Sequence, residues 1–193
     1  MSLILRDIEA EDLDAVWALN NSAGCSIVPI DRERMRQLFE VARYFRVAHY
    51  NGELAGFQIA LSPEARYDSP NFLWFREHFA DFLYIDRLVI DSRFRRHGIG
   101  RVFYADVLSF AEVRYPILTC EVFIEPRDDV ALVFFGTNGF QEVGQQVLSN
   151  SRRVSLMVKE MKAYPFVQET YRAAGGHSLP QQLDADRLSR RTA

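Results

Sequence analysis

The sequence predicts an α/β fold, a mixed and mostly antiparallel twisted sheet with helices on both faces. Three observations predict it. The chain opens in the order strand, helix, helix, hairpin; its middle carries an apolar strand, Phe82 to Asp91, that enters a glycine-rich turn and then a helix; and it closes on two β-rich runs, Gly139 to Val147 and Arg153 to Met161, that read as an antiparallel pair. A length of 193 residues with 48% hydrophobic side chains supplies a core for one domain plus extensions.

Leu3 to Asp7 reads as a short first strand, and Glu9 to Asn20 as a helix with Leu13, Val16, Trp17 and Leu19 on its apolar side. Gly24 and Pro29 end that segment. A second helix, Asp31 to Arg43, opens on an acidic cap and repeats Met35, Leu38, Phe39 and Ala42 at helical spacing. Tyr44 to Tyr50 and Glu53 to Leu61 follow as two strands, joined by Asn51-Gly52, the strongest short hairpin signal in the chain. Between Ser62 and Asp81, Pro63 and Pro70 mark turns and Asn71 to Ala80 reads as a short helix.

The helix after the glycine-rich turn, Gly98 to Arg114, sets Ile99, Phe103, Val107 and Phe110 on one side, and Pro116 stops it. Ile117 to Ile124 is β-rich and Asp128 to Thr137 reads as the next helix, ahead of the closing strands. Beyond Lys162 a short helix around Phe166 to Ala173 and a loosely held tail are expected, with docking in a homodimer as a second reading of that segment.

The turn itself, Arg95-Arg96-His97-Gly98-Ile99-Gly100, sits where a helix N-terminus leaves N–H groups without helical partners and adds partial positive charge, which suits a pyrophosphate. Two phosphate-binding patterns fail on spacing. A Walker loop requires Gly-Lys followed by Ser or Thr, but Gly100 is followed by Arg101 and Val102. A dinucleotide fingerprint requires a third glycine where this chain has Phe103, which disfavours a dinucleotide-binding oxidoreductase, although Glu121 lies at about the right distance for a ribose contact.

What remains is Arg/Gln-x-x-Gly-x-Gly/Ala after a Leu-x-Val type strand, here Leu88-Val89-Ile90 followed by Arg95, Gly98 and Gly100. A second pattern follows in Ala131-Leu132-Val133-Phe134-Phe135-Gly136-Thr137-Asn138-Gly139-Phe140. With both motifs in this order the chain resembles the GNAT superfamily of N-acetyltransferases over Leu3 to Met161, leaving 162–193 as a C-terminal extension. The resemblance implies a GNAT-like fold and acetyl-CoA as co-substrate, with no metal. It places the coenzyme A pyrophosphate on N–H groups of Arg96, His97, Gly98, Ile99, Gly100 and Arg101. Arg93, Arg95 or Arg101 would meet the 3′-phosphate, and the main chain of Leu88, Val89 and Ile90 the pantetheine arm and thioester carbonyl.

Family chemistry is direct attack of an amine on the thioester, so a carboxylate or water chain must take the amine's proton. Many members carry a glutamate where this chain has Tyr84; Asp86, two residues on, and Glu121 in Cys120-Glu121-Val122 are the candidate bases. Asp86 has a rival role in pairing with an arginine, and Glu121 as an exposed strand residue. The tyrosine that many members use to protonate the departing thiolate is replaced by Phe135, and a family asparagine by Asp128; Tyr84 is the alternative proton donor or a plain aromatic wall. These departures leave two functions standing, an N-acetyltransferase acting on a small-molecule or peptide amine and an acyl-CoA-binding module with lost or weak catalysis. Phe72, Leu73, Trp74, Phe75, His78 and Phe79 read as an acceptor-pocket wall or as packed helix.

Charge and composition exclude other classes. A net charge of −3 gives no basic field for nucleic acid. No apolar run approaches the roughly 20 residues that span a bilayer, and Met1-Ser2-Leu3-Ile4-Leu5-Arg6-Asp7 lacks the pattern of a signal peptide, so a cytoplasmic protein is expected. Cys25 and Cys120 have neither disulfide nor zinc spacing and read as buried thiols.

Overall fold

The computed structural model describes residues 2–24, 27–148 and 151–172. Seven strands form one sheet: β1 (Leu3–Asp7), β2 (Tyr44–Tyr50), β3 (Glu53–Leu61), β4 (Leu83–Ile90), β5 (Ile117–Glu125), β6 (Gln141–Val147) and β7 (Arg153–Glu160). Among the described residues six α-helices accompany them: α1 (Leu13–Ser22), α2 (Arg32–Val41), α3 (Pro70–His78), α4 (Ile99–Glu112), α5 (Asp129–Thr137) and α6 (Tyr164–Val167). The expected elements are all present among the described residues, with ends shifted by a few positions. The expected helix from Glu9 starts as a 3₁₀ turn, Ala10–Asp12, before α1. The helix expected around Phe166 starts earlier, at Tyr164, and passes into a π-helical turn over Gln168–Arg172. Cys25 and the tail beyond Arg172 lie outside the described residues.

Local chemistry explains these boundaries. The Asp31 carboxylate accepts the Arg34 N–H at 2.7 Å and caps α2, while Pro70 opens α3 where its missing N–H costs nothing. Asn51 and Gly52 both take positive φ, 49° and 87°, as a two-residue hairpin that matches strand twist requires.

The sheet order is β1-β2-β3-β4-β5-β7-β6, and the pairing is antiparallel except between β4 and β5. That one parallel ladder is short. Leu83, Tyr84 and Ile85 face Leu118, Thr119 and Cys120, and beyond them the two strands have no mutual pairing although both continue. A bulge coincides with the parting: Ile59 opposes Arg87 but Ala60 opposes Ile85, so Asp86 is an extra residue on β4. The extra residue shifts the alternation, which is why Tyr84 and Val89, five positions apart, both enter the same core.

That core lies under α1, α2 and α3 and includes Val16, Leu38, Phe57, Phe72, Phe75, Tyr84 and Leu156. The opposite face carries α4 and α5, with Leu83, Ile85, Val107, Leu118, Cys120 and Phe135. Helices on both faces of a mixed, mostly antiparallel sheet are the architecture expected from the sequence. Phe103 of α4, too bulky for a dinucleotide fingerprint, is fully buried against the small residues Ala48 and Ala55. Gly56 makes room beside it: a Cβ there would stand 2.6 Å from the Val89 carbonyl oxygen and 3.2 Å from the Phe103 ring. Burying such a ring contributes roughly 1.5–3 kcal/mol, so the small residues beneath α4 anchor the turn that precedes it. Tyr164 and Val167 of α6 are buried, and the Met161 N–H donates to the Pro116 carbonyl at 2.8 Å, so the chain beyond β7 begins docked on the sheet.

Candidate active site

The parting of β4 and β5 puts two carboxylates at matched positions. Asp86 follows Ile85 and Glu121 follows Cys120, the last residues of the parallel ladder. Both lie on the face covered by α1, α2 and α3, because Thr119, Glu121 and Phe123 alternate onto that side of β5 and the bulge turns Asp86 toward it.

The two acids have different surroundings. Asp86 is paired on both oxygens: the Tyr67 hydroxyl donates to Oδ1 at 2.7 Å and the Arg87 Nε to Oδ2 at 3.0 Å. The side chains of this ion pair are 4% and 8% exposed. Arg87 continues outward, donating from Nη1 to Asn20 Oδ1 at 2.7 Å and to the Val28 carbonyl at 2.8 Å, which fixes the connection between α1 and α2 against β4. Glu121 has no such clamp. Its Oε2 is shielded from solvent and has no hydrogen-bond partner among the described residues. Burial, then the negative charge of Asp86, raises the Glu121 carboxyl to about 7; the Tyr84 hydroxyl and the Asn71 amide lie near enough to draw it partly back without completing a hydrogen bond.

Three more buried polar atoms share this region without a partner among the described residues: the Tyr84 hydroxyl, Asn71 Oδ1 and Thr119 Oγ1. Buried polar groups are nearly always satisfied, so such a cluster around one carboxylate marks a place where water or a ligand completes the bonding. Burial, then Glu121 and Asp86, pushes the Tyr84 hydroxyl well above its ordinary range, and it stays protonated. It is thus a neutral hydroxyl that can donate a hydrogen bond. Cys120 faces the other way into the second core, where burial raises its thiol and keeps it inert.

The glycine-rich turn lies past the far end of β4. Arg96 and Gly98 take φ of 67° and 80°, and Gly98 is the residue before α4. The N–H groups of Arg96, His97, Gly98, Ile99 and Gly100 meet no acceptor among the described residues, so the turn presents a run of free donors at the N-terminus of a 14-residue helix. Arg95, Arg96 and Arg101 are exposed with no ion pair among the described residues. Arg93 is different: it is held by Asp91 and by Glu53, both at 2.9 Å, and is the least available of the arginines read from the sequence. Between turn and carboxylates runs the β4 stretch Leu88, Val89 and Ile90, paired with β3 on one edge and free of β5 on the other.

The two departures in the late helix have structural roles. Asp128 caps α5 by accepting the Ala131 N–H at 2.9 Å. Phe135 is buried with ring centroids 5.3 Å from Phe134 and 5.1 Å from Phe140, an apolar packing site on the α5 side of the sheet. Sequence reasoning missed Tyr67, Asn71, Arg87 and Asn20. The one available signal was the Asp86-Arg87 dipeptide, two opposite charges inside the otherwise apolar run of β4.

The sheet thus opens between two parallel strands, with free helix-terminal donors at one end of β4 and a buried carboxylate near the other. A family model described as an acetyltransferase (GNAT) domain matches residues 25–161, and the chain belongs to that family of acetyltransferases. Solved structures share the fold. Ard1 from Thermoplasma volcanium aligns at 18% identity over 83% of this chain and 99% of that one, with a TM-score of 0.67. The ribosomal-protein-S18-alanine N-acetyltransferase from Escherichia coli aligns at 14% identity over 95% and 100%, with a TM-score of 0.64. Arabidopsis thaliana Naa50, in complex with the bisubstrate analogue CoA-Ac-MVNAL, aligns at 16% identity over 83% and 99%, with a TM-score of 0.63. At these identities the likeness is one of fold. No curated protein matches the chain. No helix among the described residues is long and apolar enough to cross a membrane.

Proposed function

We propose that this chain is an N-acetyltransferase that moves an acetyl group from acetyl-CoA to a primary amine by direct attack, with 3–161 as the catalytic domain and 162–193 as an extension. The observation that carries the proposal is the Glu121 carboxyl, raised to about 7 and unpartnered at Oε2 where β4 and β5 part. A base working near neutral pH is what an amine of pKa near 10 requires.

The residues present fit the co-substrate. Free N–H groups from Arg96 to Gly100 suit a pyrophosphate, whereas the Arg101 N–H, expected from the sequence to join them, already donates to the Gly98 carbonyl at 3.0 Å; exposed Arg95 and Arg101 side chains suit the 3′-phosphate. The unpaired edge of Leu88, Val89 and Ile90 suits an extended amide-bearing arm. The thioester supplies the activated acetyl carbon. Glu121 takes the proton that leaves the amine nitrogen as the new N–C bond forms and the C–S bond breaks, and the sulfur departs as thiolate. Tyr84 stays protonated and offers its hydroxyl as a hydrogen-bond donor in the site. Asp86, already held on both oxygens, is the poorer base of the two.

Release of free thiol from acetyl-CoA, measured over small amines and short peptides with free N-termini, tests the reading. Turnover with at least one primary amine, lost in Glu121→Gln, is the expected result. Coenzyme A binding by calorimetry without turnover on any amine would leave an acyl-CoA-binding module in its place.

A further inference from the structure

The region around Glu121 contains an arrangement that folding alone does not favour: two carboxylates on neighbouring strands, one of them locked into a buried ion pair. Burying a pair such as Asp86 and Arg87 rarely adds stability over apolar residues, and setting a second acid next to it adds repulsion. The clamp is nevertheless complete. Tyr67 and Arg87 occupy both Asp86 oxygens, Arg34 lies over the Tyr67 ring at 4.5 Å, and Arg87 Nη1 donates to Asn20 Oδ1 and the Val28 carbonyl.

We propose that Tyr67, Asp86 and Arg87 form a positioning device for Glu121: they fix one negative charge beside its carboxyl and tie that charge, through Arg87, to the connection between α1 and α2. The proposal rests on Glu121 as the base for its functional meaning, but its electrostatic content stands apart from turnover. The groups that act on Glu121 are few. Asp86 and Tyr84 come from β4, with Arg87 behind Asp86; Tyr67 comes from the segment ahead of α3, and α3 adds the uncharged Asn71. From β7 the facing residue is Leu156, and Cys120 lies on the opposite face of β5. Asp86 is the one anion among them, so its charge sets the acid–base poise of Glu121, and Arg87 limits how strongly that charge is felt.

The test is a direct titration of Glu121 in the free protein. Carbon-13 glutamate labelling and infrared difference spectroscopy follow its carboxyl, with the band assigned by its absence in Glu121→Gln. Asp86→Asn should lower the midpoint by about one pH unit, and Arg87→Gln should raise it, because the remaining Asp86 charge then acts undiminished. The double variant Asp86→Asn/Arg87→Gln leaves no lone buried charge and serves if a single variant does not fold; its midpoint should also fall. Opposite shifts in the two single variants support the device, since general loosening would hydrate Glu121 and lower both. An unmoved midpoint in Asp86→Asn, or shifts of the same sign, overturns it. If Glu121→Gln keeps full turnover while the midpoints move as stated, the base assignment fails and the positioning device stands.

Discussion

Asp86 and Glu121 are the first residues beyond the parallel ladder on β4 and β5, one clamped on both oxygens and the other with Oε2 unpartnered among the described residues. Their positions follow from the sheet, and their environments are opposite. The clamped one is held in an ion pair, and the other is left with a proton affinity suited to neutral pH.

Stability should report this directly. Glu121 ionises from 4.5 in the ordinary state but from about 7 in the folded protein, so between those values the folded chain holds a proton that the unfolded chain has released. Stability therefore falls as pH rises through that window and levels off above it, by an amount on the order of 3 kcal/mol from this group. Glu121→Gln removes the penalty. Urea unfolding should find the variant more stable than wild type at pH 8 and little different at pH 4.5, while its kcat/KM for a primary amine drops by roughly 100-fold or more.

Tyr84→Phe separates structure from chemistry at the neighbouring position. The hydroxyl is fully buried and has no partner among the described residues, so its removal deletes an unsatisfied group without opening a cavity. Thermal unfolding should show a variant equal to wild type or up to about 1 kcal/mol more stable. If the hydroxyl donates to charge developing in the reaction, kcat falls roughly 10-fold or more at unchanged stability. Unchanged kcat would reduce Tyr84 to the aromatic wall that its packing against Phe72 and Phe75 also permits.

Neither the buried Glu121 nor the unsatisfied Tyr84 hydroxyl is visible in the sequence, whereas much of the fold is. Periodicity, Asn51-Gly52 and the capping residues were sufficient to read the order of strands and helices, because those signals act within a few residues. Phe103 was legible as an obstacle to a dinucleotide loop, yet the space that Ala48, Ala55 and Gly56 make for it appears only once β2, β3 and α4 are brought together. The bulge at Asp86 has no sequence signature, since alternation in an almost wholly apolar strand cannot show where it slips. The pairing of Asp86 with an arginine was legible, but the rest of the clamp was not, because Tyr67, Asn20 and Val28 reach it from 19 to 67 positions away along the chain.

The arginines of the turn should not contribute equally to coenzyme A binding. Arg93 already satisfies Asp91 and Glu53, so Arg93→Ala should leave the affinity within about 2-fold of wild type. Arg95→Ala and Arg101→Ala each remove an exposed cation with no ion pair among the described residues, and the variant that thereby gives up a charge-assisted hydrogen bond to phosphate should bind roughly 10-fold more weakly. Calorimetry with coenzyme A and with dephospho-coenzyme A decides which one serves the 3′-phosphate: its penalty vanishes when that phosphate is absent. Equal effects at Arg93 and Arg101 would contradict the ion-pair argument.

Gly56→Ala probes the scaffold beneath the turn. A Cβ at this position would stand 2.6 Å from the Val89 carbonyl oxygen and 2.9 Å from Ile90 Cδ1, so β3 and β4 must shift apart at the stretch offered to the pantetheine arm. The backbone oxygen cannot rotate away as a side chain could. Overpacking of this kind costs about 1–3 kcal/mol, which urea unfolding should measure. The displaced strand also moves Phe103 and the start of α4, since the Phe103 ring lies 3.2 Å from the same Cβ. Coenzyme A affinity should therefore fall along with stability, and the thermal shift on adding saturating coenzyme A should shrink relative to wild type. A variant that lost stability yet kept the full shift would show that the turn is positioned independently of the β3–β4 contact.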